Sequence, residues 1–229
     1  MAVESVVDTN VLVAISIELD MHHENCLEYV RDTDCCHVPP VVSHEFAKVE
    51  SKLRTTLFED LAEHRLQVER EIESGHITPG KIQEIRRRAI DEDWRSHNHI
   101  HAFYDQLEMS AGYDPIYKIE LVDQLEMLEN EVWQDAAIEH GGLSELVDYW
   151  NGSMSRDPTV RSKLLVHEGD DVDVCLEAHY IAKKTPDCTT ELGTANPRHF
   201  VYQVSGEPES REDNICRVTA IDSIENLSA

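Results

Sequence analysis

The apolar positions change their period twice along the chain. Val3-Glu4-Ser5-Val6-Val7 reads as a short buried strand ending at Asp8. Met21, Leu27 and Val30, set among polar neighbours, predict a helix over 18–32. Cys35-Cys36-His37-Val38 is a second short strand, stopped by Pro39-Pro40. Ser43 stands where it can cap a helix beginning near His44. Strand, helix, strand, helix in that order predicts an α/β fold with a parallel sheet flanked by helices.

The period then becomes helical and stays so. Leu53, Leu57, Leu61, Val68 and Ile72 fall on one helical stripe. Thr78 and Pro79 mark a new start, as N-cap and first helical residue. Ile82, Ile85 and Ala89 continue it, followed by Ile100, Phe103, Tyr104 and Leu107. Another stripe runs through Ile119, Val122, Leu125, Leu128 and Val132, and a last short helix through Leu143, Leu146, Val147 and Trp150. The α/β pattern resumes with a helix opened by Asp170-Asp171 and carrying Val172, Val174, Leu176, Ala178 and Ile181. A strand over Cys188–Thr194 and another near Val218–Ile221 follow, with the polar run Gly206–Asn214 as a loop. The expected organisation is an α/β domain from 1–55 plus 160–229, carrying a long α-helical insertion at 56–159.

Charge changes the picture. The chain has 229 residues, with 46 acids against 20 bases and a net charge of −26. That excludes a globally basic nucleic-acid coat and a polybasic membrane anchor. Residues 55–165 hold 23 acids and 11 bases, and the rest 23 and 9, so the acidity is not a tail. Uniform acidity, with 13 Arg against 7 Lys, suits a salt-accumulating cytoplasm such as that of a halophilic archaeon. At molar salt the Debye length falls to about 3 Å, so self-repulsion is screened while carboxylates keep the surface hydrated. An ordinary acidic cytosolic protein is the alternative. No signal-peptide pattern opens the chain and no run reaches the length of a membrane span, so a cytoplasmic location with reduced thiols is expected.

The candidate chemistry is a set of acids at strand ends. Asp8 closes the first strand, Glu45 opens the helix after the second, and Asp173 lies near the start of a later helix. Asn196 follows the next strand, two residues after Thr194. In an open parallel sheet, ligands bind outside the carboxyl ends of the strands. Carboxylates gathered there call for a cation, and a hard divalent metal with oxygen ligands fits them. Asp170 and Asp171 read as acids facing a helix N-terminus, with Asp171 the alternative ligand to Asp173. Glu177, one turn on, is expected to face solvent. Cys35 and Cys36 read as core strand thiols, and His97, His99 and His101 as a solvated helix face.

VVDTNVL after an opening strand, the acid in SHEFAKVES, then DVDVCLEAHYIA and TANPRHF together resemble the PIN domain family. The resemblance covers about 1–55 and 160–225. The family is a compact α/β fold with a parallel sheet. Its members are typically Mg2+- or Mn2+-dependent endoribonucleases, including the toxins of VapBC toxin–antitoxin modules and RNA-processing nucleases. The resemblance implies Asp8, Glu45 and Asp173 as catalytic, metal-binding acids and Asn196 as the fourth metal position. Thr194 matches the hydroxyl residue that precedes it, and Asn10 the residue bracing the first aspartate's loop. Two departures stand out: His199 occupies a place where many members carry another Asp, and the spacer from Glu45 to Asp173 is far longer than usual.

The implied partners are an RNA substrate, an antitoxin-like protein if the chain is a toxin, and a second copy in a homodimer. Arg86, Arg87 and Arg88 are the candidate RNA-backbone contact, against the plainer reading of a solvated face paired with nearby acids. A non-catalytic PIN-like binding module and a structure-specific DNA nuclease are the other functional readings. The composition itself makes a prediction. Chemical unfolding in low and in molar KCl should show a clear gain in stability at high salt, and equal stability in both excludes salt adaptation.

Overall fold

The computed structural model describes residues 3–73, 75–91, 96–111, 116–131, 142–156, 158–161, 169–185, 187–195 and 216–219. In chain order the first elements are β1 (Val3–Val7), α1 (Thr9–Ser16), α2 (His23–Asp32), β2 (Cys35–Val38) and the long α3 (Pro40–Glu71). Next come β3 (His76–Ile77), α4 (Pro79–Asp91), α5 (His97–Ala111), β4 (Ile116–Tyr117) and α6 (Lys118–Glu131). The chain continues through α7 (Leu143–Leu146), β5 (Asp148–Tyr149), α8 (Pro158–Arg161), α9 (Gly169–Lys184), β6 (Thr189–Thr194) and β7 (Cys216–Thr219).

The main sheet has the order β5-β2-β1-β6-β7. β1, β2, β5 and β6 run parallel, and β7 is antiparallel to β6. Strand order turns back at β1, since the chain first moves outward to β2 and β5 and then returns to β6 on the other side. The carboxyl ends of β1 and β6 therefore flank the switch point where ligands bind in such sheets. β3 and β4 form a separate antiparallel pair.

The described residues divide into two compact units. One takes residues 3–16, 22–48 and those from 142 onward, and the other takes 17–21 and 49–131. The sheet unit is built around Val6, Val7, Val11, Leu12, Ile15 and Leu176, all fully or almost fully buried. The helical unit has its own core of Leu57, Leu61, Ile100, Tyr104, Leu121 and Leu125. There Lys118 Nζ donates to the carbonyls of Glu69 and Ile72, each at 2.6 Å, and so closes the C-terminus of α3. His64 is buried against the Tyr104 hydroxyl at 2.8 Å, and burial pulls its pKa down to about 4. None of the helices among the described residues is long and apolar enough to cross a membrane.

Several elements depart from the sequence expectation. The apolar run after Asp8 forms α1, and α2 starts at His23 rather than at 18. α3 begins at Pro40: the Ser43 N–H already donates to the Pro39 carbonyl at 2.9 Å, so Ser43 lies inside the first turn. Pro40 suits the first helical position, where no N–H is needed. The helix expected through Trp150 stops at Leu146. β5 follows, paired to β2, and the Trp150 N–H extends that ladder to the Val38 carbonyl at 3.0 Å. This pairing is why residues from 142 group with the sheet. Ala220, Ile221 and the Gly206–Asn214 segment lie outside the described residues.

Gly193 on β6 makes a close approach that sets the sheet's packing. A Cβ there would stand 2.5 Å from Tyr29 Cε1 and 2.9 Å from its hydroxyl. Tyr29 cannot swing aside, because it is 2 % exposed and its hydroxyl is tied to Ser5 at 2.5 Å and to Glu191 at 3.0 Å. Gly193→Ala should therefore destabilise the sheet unit by about 1–3 kcal/mol, the range for overpacking a filled core. Urea unfolding measures it, and an unchanged midpoint counts against this packing.

Candidate functional site

Asp8 sits between the end of β1 and the start of α1, 3 % exposed. Its N–H donates to the Gly193 carbonyl at 2.9 Å, carrying the β1–β6 pairing one step past the strand. Its own carbonyl accepts from Val11 at 3.1 Å, so Asp8 holds the N-cap position of α1. Oδ1 accepts the Thr9 N–H at 2.7 Å. Oδ2 accepts the Asn10 amide and the Thr194 hydroxyl, each at 3.0 Å. A simple cap needs one such bond; Asp8 gathers three, drawn from both α1 and β6.

Glu45 reaches the same place from α3. Its Oε2 accepts the Thr9 hydroxyl at 2.7 Å, so Thr9 binds one carboxylate through its N–H and the other through its side chain. Burial raises the Asp8 pKa above the usual carboxylate range and the Glu45 charge adds to it, against the lowering from Thr194, Thr9 and Asn10. On α9, burial and then the charges of Asp171 and Asp8 push the Cys175 thiol up to about 12. Asp171 is half-buried at this end of the helix.

Asp173 is engaged differently. Its Oδ2 accepts from Arg156 at 2.7 Å, and its Oδ1 is 3.4 Å from Arg161. Among the described residues, the Asp8, Glu45 and Asp173 carboxylates do not form a set with one oxygen each within 4.8 Å. The structure thus joins Asp8, Asn10, Thr194 and Glu45 through hydrogen bonds and holds Asp173 on a pair of arginines. Asn196 and His199 lie outside the described residues.

Glu177 corrects its expectation. It is 2 % exposed rather than solvent-facing. Its Oε2 accepts the Val41 N–H at 2.9 Å, satisfying an orphan donor in the first turn of α3, and Oε1 pairs with Arg156 at 2.7 Å. Thr9 lies within VVDTNVL but is not singled out there as a site residue, and Arg161 carries no sequence signal. The cue to Arg156 is indirect: acids at i and i+4 on one helix face, which a single guanidinium can span.

The arginine triplet on α4 is mostly occupied. Arg86 pairs with Asp105 at 2.6 Å and Glu108 at 3.4 Å, and Arg88 with Glu84 at 2.8 Å and with Glu71. Arg87 is exposed. On α5 the His97 and His101 rings meet edge-on at 6.5 Å, and among the described residues no third ligand joins them.

A second cluster lies at the opposite, amino end of the sheet. Cys35, His37 and Asp148 bring one ligand atom each within 4.8 Å of one another. Cys36 is a buried strand thiol as expected, but Cys35 is half-buried beside His37 and belongs to this group. The third ligand, on β5, has no sequence relation to the first two.

Comparison with protein families, with characterised proteins and with solved structures finds no match. The chemistry of the residues therefore carries the functional argument.

Burial of Asp8 has a measurable consequence. A carboxyl whose pKa is raised on folding favours the folded state below its ordinary value of 3.8, and this contribution is lost as pH rises through the folded value. In EDTA, wild type should therefore lose stability relative to Asp8→Asn as pH rises from 3.8 towards neutrality. Urea unfolding of both proteins across that window measures the difference. A pH-independent difference contradicts the raised pKa.

Proposed function

We propose that the chain is a PIN-like, metal-dependent endoribonuclease that hydrolyses phosphodiester bonds of single-stranded or structured RNA. The observation that carries this reading is the Asp8 carboxylate. It is buried at the carboxyl end of the central strand, held by Asn10 and Thr194 and coupled to Glu45 through Thr9. The donors fit Mg2+ or Mn2+: they are carboxylate oxygens, and the Glu45 charge bears on Asp8 from the other side of Thr9. When bound, such a cation supplies Lewis acidity, lowering the pKa of a water and offsetting charge on the scissile phosphate.

The chain's own residues do the positioning. Thr194 and Asn10 fix the Oδ2 side of Asp8, and the Thr9 N–H fixes Oδ1. Glu45 serves as ligand or orients the attacking water. Asp173 adds a carboxylate once Arg156 and Arg161 release it, and these two arginines then meet substrate phosphate. That role moves the expected RNA contact away from Arg86 and Arg88, whose guanidiniums are held by acids. Asn196 is the expected fourth position, acting through water.

A non-catalytic PIN-like binding module is the second reading. It is favoured by the two arginines on Asp173, which neutralise this acid without any metal. One assay separates the readings. With Mn2+, wild type should cleave labelled single-stranded RNA and EDTA should stop it. Asp8→Asn should lower the rate by more than roughly 100-fold, and Thr194→Val by about 10–100-fold, as for loss of a group that orients a ligand. A folded protein that cleaves neither RNA nor DNA with either metal supports the module. Cleavage of DNA alone makes it a DNA nuclease.

A further inference from the structure

We propose that Cys35, His37 and Asp148 form a Zn2+ site at the amino end of the sheet, with water in the fourth position. The register places the ligands together. Glu4 lies opposite Cys35, and His37 lies opposite Asp148, so alternation along the strands sets all four on one face of the sheet. Cys35 Sγ is 3.8 Å from His37 Nδ1, and Nδ1 is 3.7 Å from Asp148 Oδ2. Ligand atoms of a tetrahedral Zn2+ at ~2.0–2.3 Å from the metal stand roughly 3.3–3.6 Å apart. Both separations from Nδ1 are thus within a few tenths of an ångström of a coordination shell, and the thiol and carboxylate lie within 4.8 Å of each other.

The imidazole is already oriented for this role. Its Nε2 lies 3.1 Å from Glu4 Oε2. A carboxylate only accepts, so Nε2 carries the hydrogen, and Nδ1, which faces Cys35 and Asp148, is the nitrogen left to give a lone pair to a metal. A carboxylate behind a ligating histidine is the usual outer support of a zinc ligand. Glu4 is fit for it: its carboxylate accepts hydrogen bonds from His37, Cys188 and Thr185, which hold it in place. The His37 ring is also braced edge-on by Trp150 at 5.7 Å.

The donor set selects the metal. One thiolate, one imidazole and one carboxylate suit a borderline-soft ion, and thiolate disfavours Mg2+ or Mn2+. The Cys35 thiol, raised by burial and by the Asp148 and Glu4 charges, gives its proton to solvent on binding. Asp148 is 67 % exposed at its side chain, which opens the fourth position to water. The ion would staple β2 to β5, whose ladder has only the pairs His37–Asp148 and Val38–Tyr149.

Co2+ reports the site, since thiolate-bound cobalt has a near-ultraviolet charge-transfer band. Reduced, EDTA-treated protein should bind one equivalent of Co2+ with that band and lose it to Zn2+. Cys35→Ser should abolish the band, with far-ultraviolet circular dichroism confirming the fold. Asp148→Asn should weaken Zn2+ binding, and Glu4→Gln should weaken it by about 10–100-fold. Cys188→Ser should keep the band, and so should Asp8→Asn, which separates this site from the proposed nuclease centre. No band in wild type, a band surviving in Cys35→Ser, or a band lost in Cys188→Ser overturns the proposal.

Discussion

β1 is the strand on which the sheet unit depends, because it is paired on both edges and carries a carboxylate at each end. Val6 and Val7 between them are fully buried. Removing a carboxylate from water is costly unless donors replace the water. At the carboxyl end, α1 and β6 supply three donors to Asp8. At the amino end, β2 supplies His37 to Glu4, with Cys188 and Thr185 adding to it. These requirements constrain the neighbours: Thr194 must end β6, Asn10 must open α1, and His37 must stand diagonally across from Glu4. The same network that satisfies the buried Asp8 and the half-buried Glu4 therefore fixes the register of the strands beside β1.

The surface charge follows a different rule. Several of the described cations are committed locally, as Arg65 is to Glu69 and Glu129 at 2.8 Å each, and Arg86 is to Asp105 and Glu108. The more exposed pairs, such as Arg54–Glu50 and Lys81–Glu84, contribute about 0–1 kcal/mol and fade with salt, so the two apolar cores carry most of the stability. Arg156 is the exception. One of its partners, Glu177, is buried and also closes the first turn of α3. Glu177 holds the Arg156 guanidinium at 2.7 Å independently of Asp173, which keeps it beside the acids of α9. A chain with a net charge of −26 needs such a fixed cation wherever it is to meet a phosphate.

Much of the sheet could be read from the chain, and the reasons for the exceptions are physical. β1 and α9 carry apolar positions that show their place, and β2 is a short run closed by Pro39-Pro40. β5 does not: two residues carry no alternation, and its pairing to β2 is a tertiary fact. α1 was hidden because Val11-Leu12-Val13-Ala14-Ile15 is apolar on every side, and such a run does not distinguish helix from strand. Asp8 and Glu45 are picked out by their places after β1 and at the start of the helix that follows β2, whereas Asn10 and Thr194 come from the resemblance of VVDTNVL and TANPRHF to the PIN family. Glu177 was misjudged because helical spacing gives a face but not what covers it. Its partners, Val41 and Arg156, come from distant parts of the chain. Cys35 looked like its neighbour Cys36 until β5 brought Asp148 alongside.

The two ends of β1 also differ in chemical hardness, and this decides how both could be occupied in one cell. By the Irving–Williams order, zinc outcompetes magnesium and manganese at almost any nitrogen or oxygen site, so an all-oxygen centre is at risk of capture by the wrong ion. The proposed thiolate and imidazole site on β2 and β5, behind the amino end of β1, would offer zinc a better home. The proposed centre at the Asp8 end, with oxygen donors alone, would then be left to the abundant hard cation. Donor type, set by which residues the strand register brings together, would thus do what affinity at a single site cannot, and sort the metals between the two ends of the sheet.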